Sequence, residues 1–356
     1  MIAPHNQLFL QFPGYCFHLS FQSFYMKRIA CILTAATMLF QVAIAQPNLL
    51  NGTNLENITY PFPVSYIHLS IQGEKLQMAY MDVKPTRPNG QTIMLLHGKN
   101  FNGAYWRETA GRLQQEGYRV IIPDQIGFGK SSKPEHIQYT FQLLARNTKA
   151  ILDTLNIPKL YLLGHSMGGM LATRFALMYP ETVTKLILEN PIGLEDWKVY
   201  VPYQSVEEWY AAELKQTYTE IRNYQLKFYY DNKWKPGYDE WVNMIAGWTN
   251  NIDYPRIAWN SALLYDMIFT QPVCYEFDQL KMPVLLIIGQ RDRTALGKNK
   301  APADVQDKLG NYPLLGKETA KKIRNSKLAE IENIGHLPHI EAFGQFISPL
   351  ISFLKN

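Results

Sequence analysis

Residues 160–178 constrain this chain more than any other stretch. Leu160, Tyr161, Leu162 and Leu163 read as a short buried strand, and residues 170–178 read as a helix. Between them stands Gly164-His165-Ser166-Met167-Gly168, the Gly-x-Ser-x-Gly spacing of a nucleophile elbow. A strand that turns at once into a helix forces its middle residue into strained backbone and holds that side chain outside the turn. Neighbours two positions away come so close that only glycine or another very small residue fits. The helix starts just behind the serine, so its free N–H groups face the place where negative charge would develop. The pattern nominates Ser166 as a nucleophile. The rest of the chain must then supply a base, an orienting acid and an oxyanion site.

The chain has 356 residues, enough for one large domain or two ordinary ones, with 47% apolar and 18% charged side chains. That composition is globular and fills a sizeable core. The net charge of +5 is modest, and no basic run suggests a nucleic-acid partner. Lys298, Lys300, Lys308, Lys317, Lys321 and Lys322 are diluted by acids and read as solvated surface. Residues 1–45 stay outside the expected fold. Met26-Lys27-Arg28 is a short basic start, residues 29–44 form an uncharged apolar run, and Ala43-Ile44-Ala45 fits a cleavage site before Gln46. This is the layout of a secretory signal peptide, with residues 1–25 an over-called start and Met26 the initiator. The run is short for a membrane span of about 20 residues, so an exported protein, periplasmic or secreted, is expected, with no stable membrane insertion after cleavage. Cys16 and Cys31 fall in the removed part, which leaves Cys274 with no disulfide partner and no Cys-based metal site.

Residues 46–60, with Pro47 and several Asn and with Pro61 and Pro63 just beyond, read as an extended lead-in. Residues 64–71 alternate polar and apolar, and with residues 76–83 they predict a hairpin. Residues 92–96, 119–122, 160–163, 185–188, 284–288 and 327–331 predict further strands, the last after a long loop. Residues 104–116, 141–155 and 339–354 predict helices. The alternation breaks near residue 194, and up to about residue 276 the pattern is helical and dense in Trp and Tyr, from Trp197 to Trp259. Strand–helix alternation with buried strands predicts a parallel sheet covered on both faces.

In this order the segments resemble the α/β-hydrolase fold with a helical cap. The resemblance covers residues 61–356 and implies a mostly parallel eight-stranded sheet flanked by helices, with the cap inserted after the sixth strand. Core would occupy residues 61–193 and 277–356, and the cap residues 194–276. The resemblance also assigns the partners of Ser166. A Gly-His after the last strand implies His336 as base, in Gly335-His336-Leu337-Pro338-His339, with His339 structural. Asp292, in Gly289-Gln290-Arg291-Asp292, occupies the family position of the orienting acid, and Glu189 is the fallback because some relatives place the acid there. Backbone N–H groups of Met167 and Lys99 would form the oxyanion hole. The Lys99 ammonium points either to solvent or into the pocket with Asn100, where it would favour an anionic or carbonyl-bearing substrate. Phe101, His165 and Trp197 are further pocket candidates, although His165, like His97 packed beneath the oxyanion loop, reads first as a structural residue. Asp124-Gln125-Ile126-Gly127-Phe128-Gly129-Lys130-Ser131 resembles a family turn that buttresses these loops.

The chemistry implied is serine hydrolysis of a small or medium hydrophobic ester or thioester through an acyl-enzyme. The partners are a small acyl substrate and water, with no cofactor and no metal. The alternative is a C–C bond hydrolase of the dienoate or β-diketone type. Epoxide hydrolases and haloalkane dehalogenases use Asp where Ser166 stands, and proline iminopeptidases usually carry Trp where Met167 stands. A non-catalytic binding protein on the same scaffold would not need Ser166, Asp292 and His336 together.

Overall fold

The computed structural model describes residues 49–356. The expected signal peptide at residues 26–45 lies outside the described residues. Eight strands form one sheet: β1 Val64–Ile71, β2 Glu74–Val83, β3 Thr92–Leu96, β4 Arg119–Pro123, β5 Leu160–His165, β6 Val183–Glu189, β7 Val284–Gly289 and β8 Ser326–Ile331. Their order is β1-β2-β4-β3-β5-β6-β7-β8. The β1–β2 hairpin and the β2–β4 pair are antiparallel, and every later pair is parallel.

The central strands are apolar on both faces because helices cover both. On one face Met94, Leu96, Leu162, Leu188 and Leu286 are buried with α2 (Phe141–Thr154) and α3 (Met167–Met178); α1 (Arg107–Gln115) is on the other. There Ile93, Leu95, Leu163, Ile187 and Leu285 meet Leu113 of α1 and the terminal helix. Thr140 caps α2 through its hydroxyl, which accepts from the Leu143 N–H at 2.9 Å.

Between β6 and β7 the chain makes α4 (Val206–Glu213), α5 (Tyr218–Phe228), α6 (Asp239–Ala246) and α7 (Tyr254–Thr270). Ser205 and Thr217 start α4 and α5 with capping boxes closed by Glu208 and Glu220. After β7 come α8 (Ala303–Gln306) and α9 (Tyr312–Lys322), then β8, α10 (Pro338–Glu341) and α11 (Phe343–Lys355).

Three local expectations change. The long loop before β8 contains α9, whose Tyr312, Gly316 and Thr319 are buried while Lys317, Lys321 and Lys322 stay exposed. Its buried face is made by a Tyr, a Gly and a Thr, so apolar periodicity does not announce it. The terminal helix is broken at Ala342 (φ −144°), because Glu341 turns back to accept the Gly335 N–H at 2.9 Å and to pair with Arg291. The described part of the lead-in is a run of turns, not an extended strand. Leu55 is fully buried, the Asn51 N–H donates to Gly247 O and the Asn51 amide to Met244 O, both at 2.9 Å, so this segment straps across the helices between β6 and β7.

Candidate active site

The site lies at the carboxyl ends of the parallel strands, where the strand order reverses on either side of β3, a position open α/β sheets favour for ligands. Ser166 follows β5 directly. Its backbone sits at φ 56° and ψ −122°, a strained conformation for a residue with a side chain. The glycines explain how the turn closes. A Cβ at Gly164 would stand 2.1 Å from Gly168 O, and one at Gly168 would stand 2.3 Å from Leu96 O. The second contact is with β3, so the elbow is pressed onto the strand that leads into the Gly98–Lys99 loop. There a Cβ at Gly98 would touch Ser166 Cβ at 3.0 Å.

Ser166 Oγ donates to His336 Nε2 at 2.9 Å, and His336 Nδ1 donates to Asp292 Oδ2 at 2.6 Å. Asp292 is fully buried, and its carboxylate accepts two further donors: Asn190 Nδ2 on Oδ2 at 2.7 Å and the Thr294 N–H on Oδ1 at 2.8 Å. Burial alone would raise its pKa. The facing His336, with the hydrogen bonds from His336 and Thr294, outweighs burial and holds the carboxyl below the usual carboxylate range. Ser, His and Asp therefore stand in a hydrogen-bonded line with the acid ionised. Glu189 is placed elsewhere: its Oε1 accepts both the backbone N–H (2.9 Å) and Nδ1 (2.8 Å) of His339. It serves His339, not His336.

Two backbone N–H groups lie next to the serine, that of Met167 in the chain and that of Lys99 just beyond Gly98. Met167 is the first residue of α3, so its N–H has no intrahelical acceptor. On the opposing loop the Gly98 N–H is already taken by Tyr105 Oη at 2.9 Å, and the next N–H is that of Lys99. A relay of hydrogen bonds fixes this loop. The Tyr105 hydroxyl donates to His165 Nδ1 (3.0 Å), and His165 Nε2 donates to the His336 carbonyl (2.7 Å). Burial, with His336 and His339 nearby, lowers the His165 pKa well below its ordinary value, so the ring is neutral as the relay requires. From below, His97 Nε2 accepts the Gln125 N–H (3.0 Å), and Asp124 accepts the Gly103 N–H (2.6 Å), the Lys130 N–H (2.7 Å) and the Tyr60 hydroxyl (2.7 Å). The Asp124 turn thus holds the far end of the loop.

Over residues 91–343 the chain matches the model of the alpha/beta hydrolase fold family. The chain belongs to that family. A solved structure of a probable hydrolytic enzyme from Pseudomonas aeruginosa PAO1 is similar at 50% identity and a TM-score of 0.86, covering 87% of this chain and 99% of that one. A 2-hydroxy-6-oxononadienedioate/2-hydroxy-6-oxononatrienedioate hydrolase from Paraburkholderia phymatum is 38% identical over 126 residues, 35% of this chain and 43% of that relative. A 2-hydroxy-6-oxo-6-phenylhexa-2,4-dienoate hydrolase from Burkholderia cepacia is 40% identical over 108 residues, 30% of this chain and 38% of that relative. The chain thus aligns with less than half the length of these two curated relatives.

This α/β hydrolase has a cavity of about 360 Å³ under the helices between β6 and β7. Asn100 and Phe101 line it, with Lys99, Phe128, Tyr224, Trp241, Trp248 and Tyr265. His165 and Trp197 do not. His165 is fully buried in the relay behind the serine, and Trp197 is packed into the core with its Nε1 on Glu195. Their places beside the serine and in the aromatic-rich segment suggested a pocket; the tertiary packing turned both inward. Ser166 and His336 are not on the cavity wall either. Tyr229, which follows α5, stands between: its ring stacks on His336 with centroids 5.3 Å apart, and its hydroxyl accepts from Asn100 Nδ2 at 3.1 Å. Sequence reasoning missed the roles of Tyr229 and Asn190. Only the aromatic density of the segment hinted at Tyr229, and Asn190 carried no signal beyond its place at the end of β6. Among the described residues no group of three or more His, Cys, Asp or Glu side chains could hold a metal ion, and no helix is long and apolar enough to cross a membrane.

Proposed function

We propose that this chain is a serine hydrolase in which Ser166 attacks an acyl-type carbonyl. The observation that carries the reading is the Ser166–His336–Asp292 line, with donor–acceptor distances of 2.9 and 2.6 Å. Ser166 Oγ adds to the carbonyl carbon as its proton passes to His336 Nε2. The oxyanion rests on the Met167 and Lys99 N–H groups, each donor of this kind contributing about 2.7–4 kcal/mol to the transition state. His336 then returns its proton to the leaving group, and in a second round it takes a proton from water as that water attacks the acyl-enzyme. The aromatic cavity supports a small or medium hydrophobic ester or thioester as substrate.

A second reading is C–C bond hydrolysis, favoured by the names of the two dienoate hydrolases. The same addition to a carbonyl serves it, provided the substrate carries its own electron sink for the departing carbon. Two assays separate the readings: release of p-nitrophenol from the butyrate ester, and bleaching of a 2-hydroxy-6-oxo-dienoate. In both, Ser166→Ala should abolish turnover and labelling by a fluorophosphonate; labelling that survives sinks the assignment of the nucleophile. Export is a separate proposal, tested by the amino-terminal mass of the protein recovered outside the cytoplasm. A start at Gln46 is expected, and an intact amino terminus overturns it.

A further inference from the structure

Lys99 is the one basic residue on the cavity wall among the described residues. Its Nζ donates to Ser261 Oγ at 2.7 Å and stands 3.4 Å from the centre of the Tyr265 ring. An ammonium has three N–H donors, so the hydroxyl and the ring face leave one direction open. No carboxylate among the described residues is within ion-pair distance of Nζ. Glu213 on the same wall acts only at longer range, and Glu220 accepts from the Thr217 N–H at the exposed start of α5. A cation drawn out of water into an aromatic cavity is costly unless an anion or several donors' partners meet it. Here the protein supplies a hydroxyl and a π face, and no contacting anion.

We propose that Lys99 determines specificity by receiving a carboxylate on the substrate whose carbonyl lies at Ser166. This rests on Ser166 being the nucleophile. The spacing supports it. Gly98 is against Ser166, so the Lys99 backbone begins one residue, about 3.8 Å, farther on. Its side chain then runs into the cavity, which Tyr229 separates from Ser166, so the acid must reach past that ring. The fit is to a flexible acid whose carboxylate meets the ammonium while its carbonyl reaches Ser166. The ammonium and the Lys99 N–H thus hold the two ends of one substrate.

The test is binding, measured by calorimetry at pH 7 on the full chain carrying Ser166→Ala. The probes are methyl hydrogen adipate, its neutral amide isostere methyl 5-carbamoylpentanoate, and the amine methyl 6-aminohexanoate. The acid should bind at least tenfold tighter than the amide. Lys99→Met and Lys99→Gln should bring the two within about twofold, and Lys99→Arg should keep the preference, all with melting curves like the parent's. Should the Met variant fail to fold, the Gln variant decides. Equal binding of acid and amide, no binding of the acid, a preference that survives loss of the cation, or tightest binding of the amine overturns the proposal. Ester turnover by the wild-type chain is read separately. Its absence would sink the nucleophile while leaving the binding preference standing.

Discussion

Asp292→Asn tests the site most sharply, because the structure shows why an amide cannot replace the carboxylate. All three groups facing Asp292 are donors: His336 Nδ1, Asn190 Nδ2 and the Thr294 N–H. An ionised carboxylate accepts from all of them, but an amide offers one oxygen and one NH2. If the amide oxygen turns to Thr294, the NH2 faces His336 and forces the imidazole to carry its proton on Nε2. That ring cannot accept the Ser166 proton. If the oxygen turns to His336, the NH2 opposes the Thr294 N–H and leaves buried donors unpaired, at about 1–3 kcal/mol of stability. In either orientation catalysis falls. A wrong imidazole tautomer in a triad of this kind lowers kcat about 10⁴-fold, or about 5.4 kcal/mol of barrier. The assay is kcat and KM on p-nitrophenyl butyrate, with a thermal melt of the same sample. Glu189→Gln is the control. Its amide keeps an oxygen for His339 and places NH2 where Glu189 Oε2 has no partner, so kcat should fall no more than about tenfold. A kcat for Asp292→Asn within tenfold of wild type, or a larger loss in Glu189→Gln, would refute the reasoning and move the acid to Glu189.

Gly168→Ala sets a methyl 2.3 Å from the Leu96 carbonyl, which is backbone and cannot rotate away. It should cost about 3 kcal/mol and lower Tm by about 6–12 °C; an unchanged melting curve would contradict the close approach of elbow and β3. Burial brings the Lys99 ammonium down to about 8, with Glu213 opposing the shift. Tyr224, Tyr254 and Tyr265 around it are all raised and stay protonated, and Glu213 and Glu220 are the other charged groups on the wall. Lys99 is charged below pH about 8 and neutral above it, so the preference for methyl hydrogen adipate over its amide should fall as pH rises through 8; a preference that is flat through this range contradicts the assignment. Tyr229→Ala removes the ring stacked on His336 and opens the cavity toward the serine. It should change kcat and its pH profile by severalfold more than Tyr229→Phe, which keeps the ring and loses only the hydroxyl's bonds with Asn100 and Tyr224; equal effects of the two would deny the ring a part in holding His336.

The parts of the site that were legible in the sequence are those with a local cause. The elbow shows because Gly164 is demanded by a contact inside the turn and Gly168, pressed on Leu96 of β3, falls at a fixed spacing from it, and the parallel strands show because burial on both faces makes them continuous apolar runs. His336 and Asp292 were legible only through their place after strand ends, since nothing local to Gly335-His336 distinguishes a base from a packed ring. The line from Ser166 through His336 to Asp292 spans residues 166 to 336, and sheet order alone closes it. Asn190, Tyr229 and Ser261 were not legible because their parts depend on which side chain of a distant element they meet. The same cause misplaced His165 and Trp197. Each was judged by its neighbours in the chain, and the packing of loops against one another decided otherwise.

Lys99 carries this division within one residue. Its N–H position follows from Gly98 being pressed on Ser166 and from Tyr105 taking the preceding N–H. Its side chain is governed by α7, which brings Ser261 and Tyr265 to the ammonium. On the proposed function, the core sets where a carbonyl is attacked, and the helices between β6 and β7 set what else the substrate must carry. A change confined to α7, such as Ser261→Ala, should alter the preference between acid and amide while the Ser166–His336–Asp292 line keeps its geometry. If the two move together, core and cap are one unit and the separation fails.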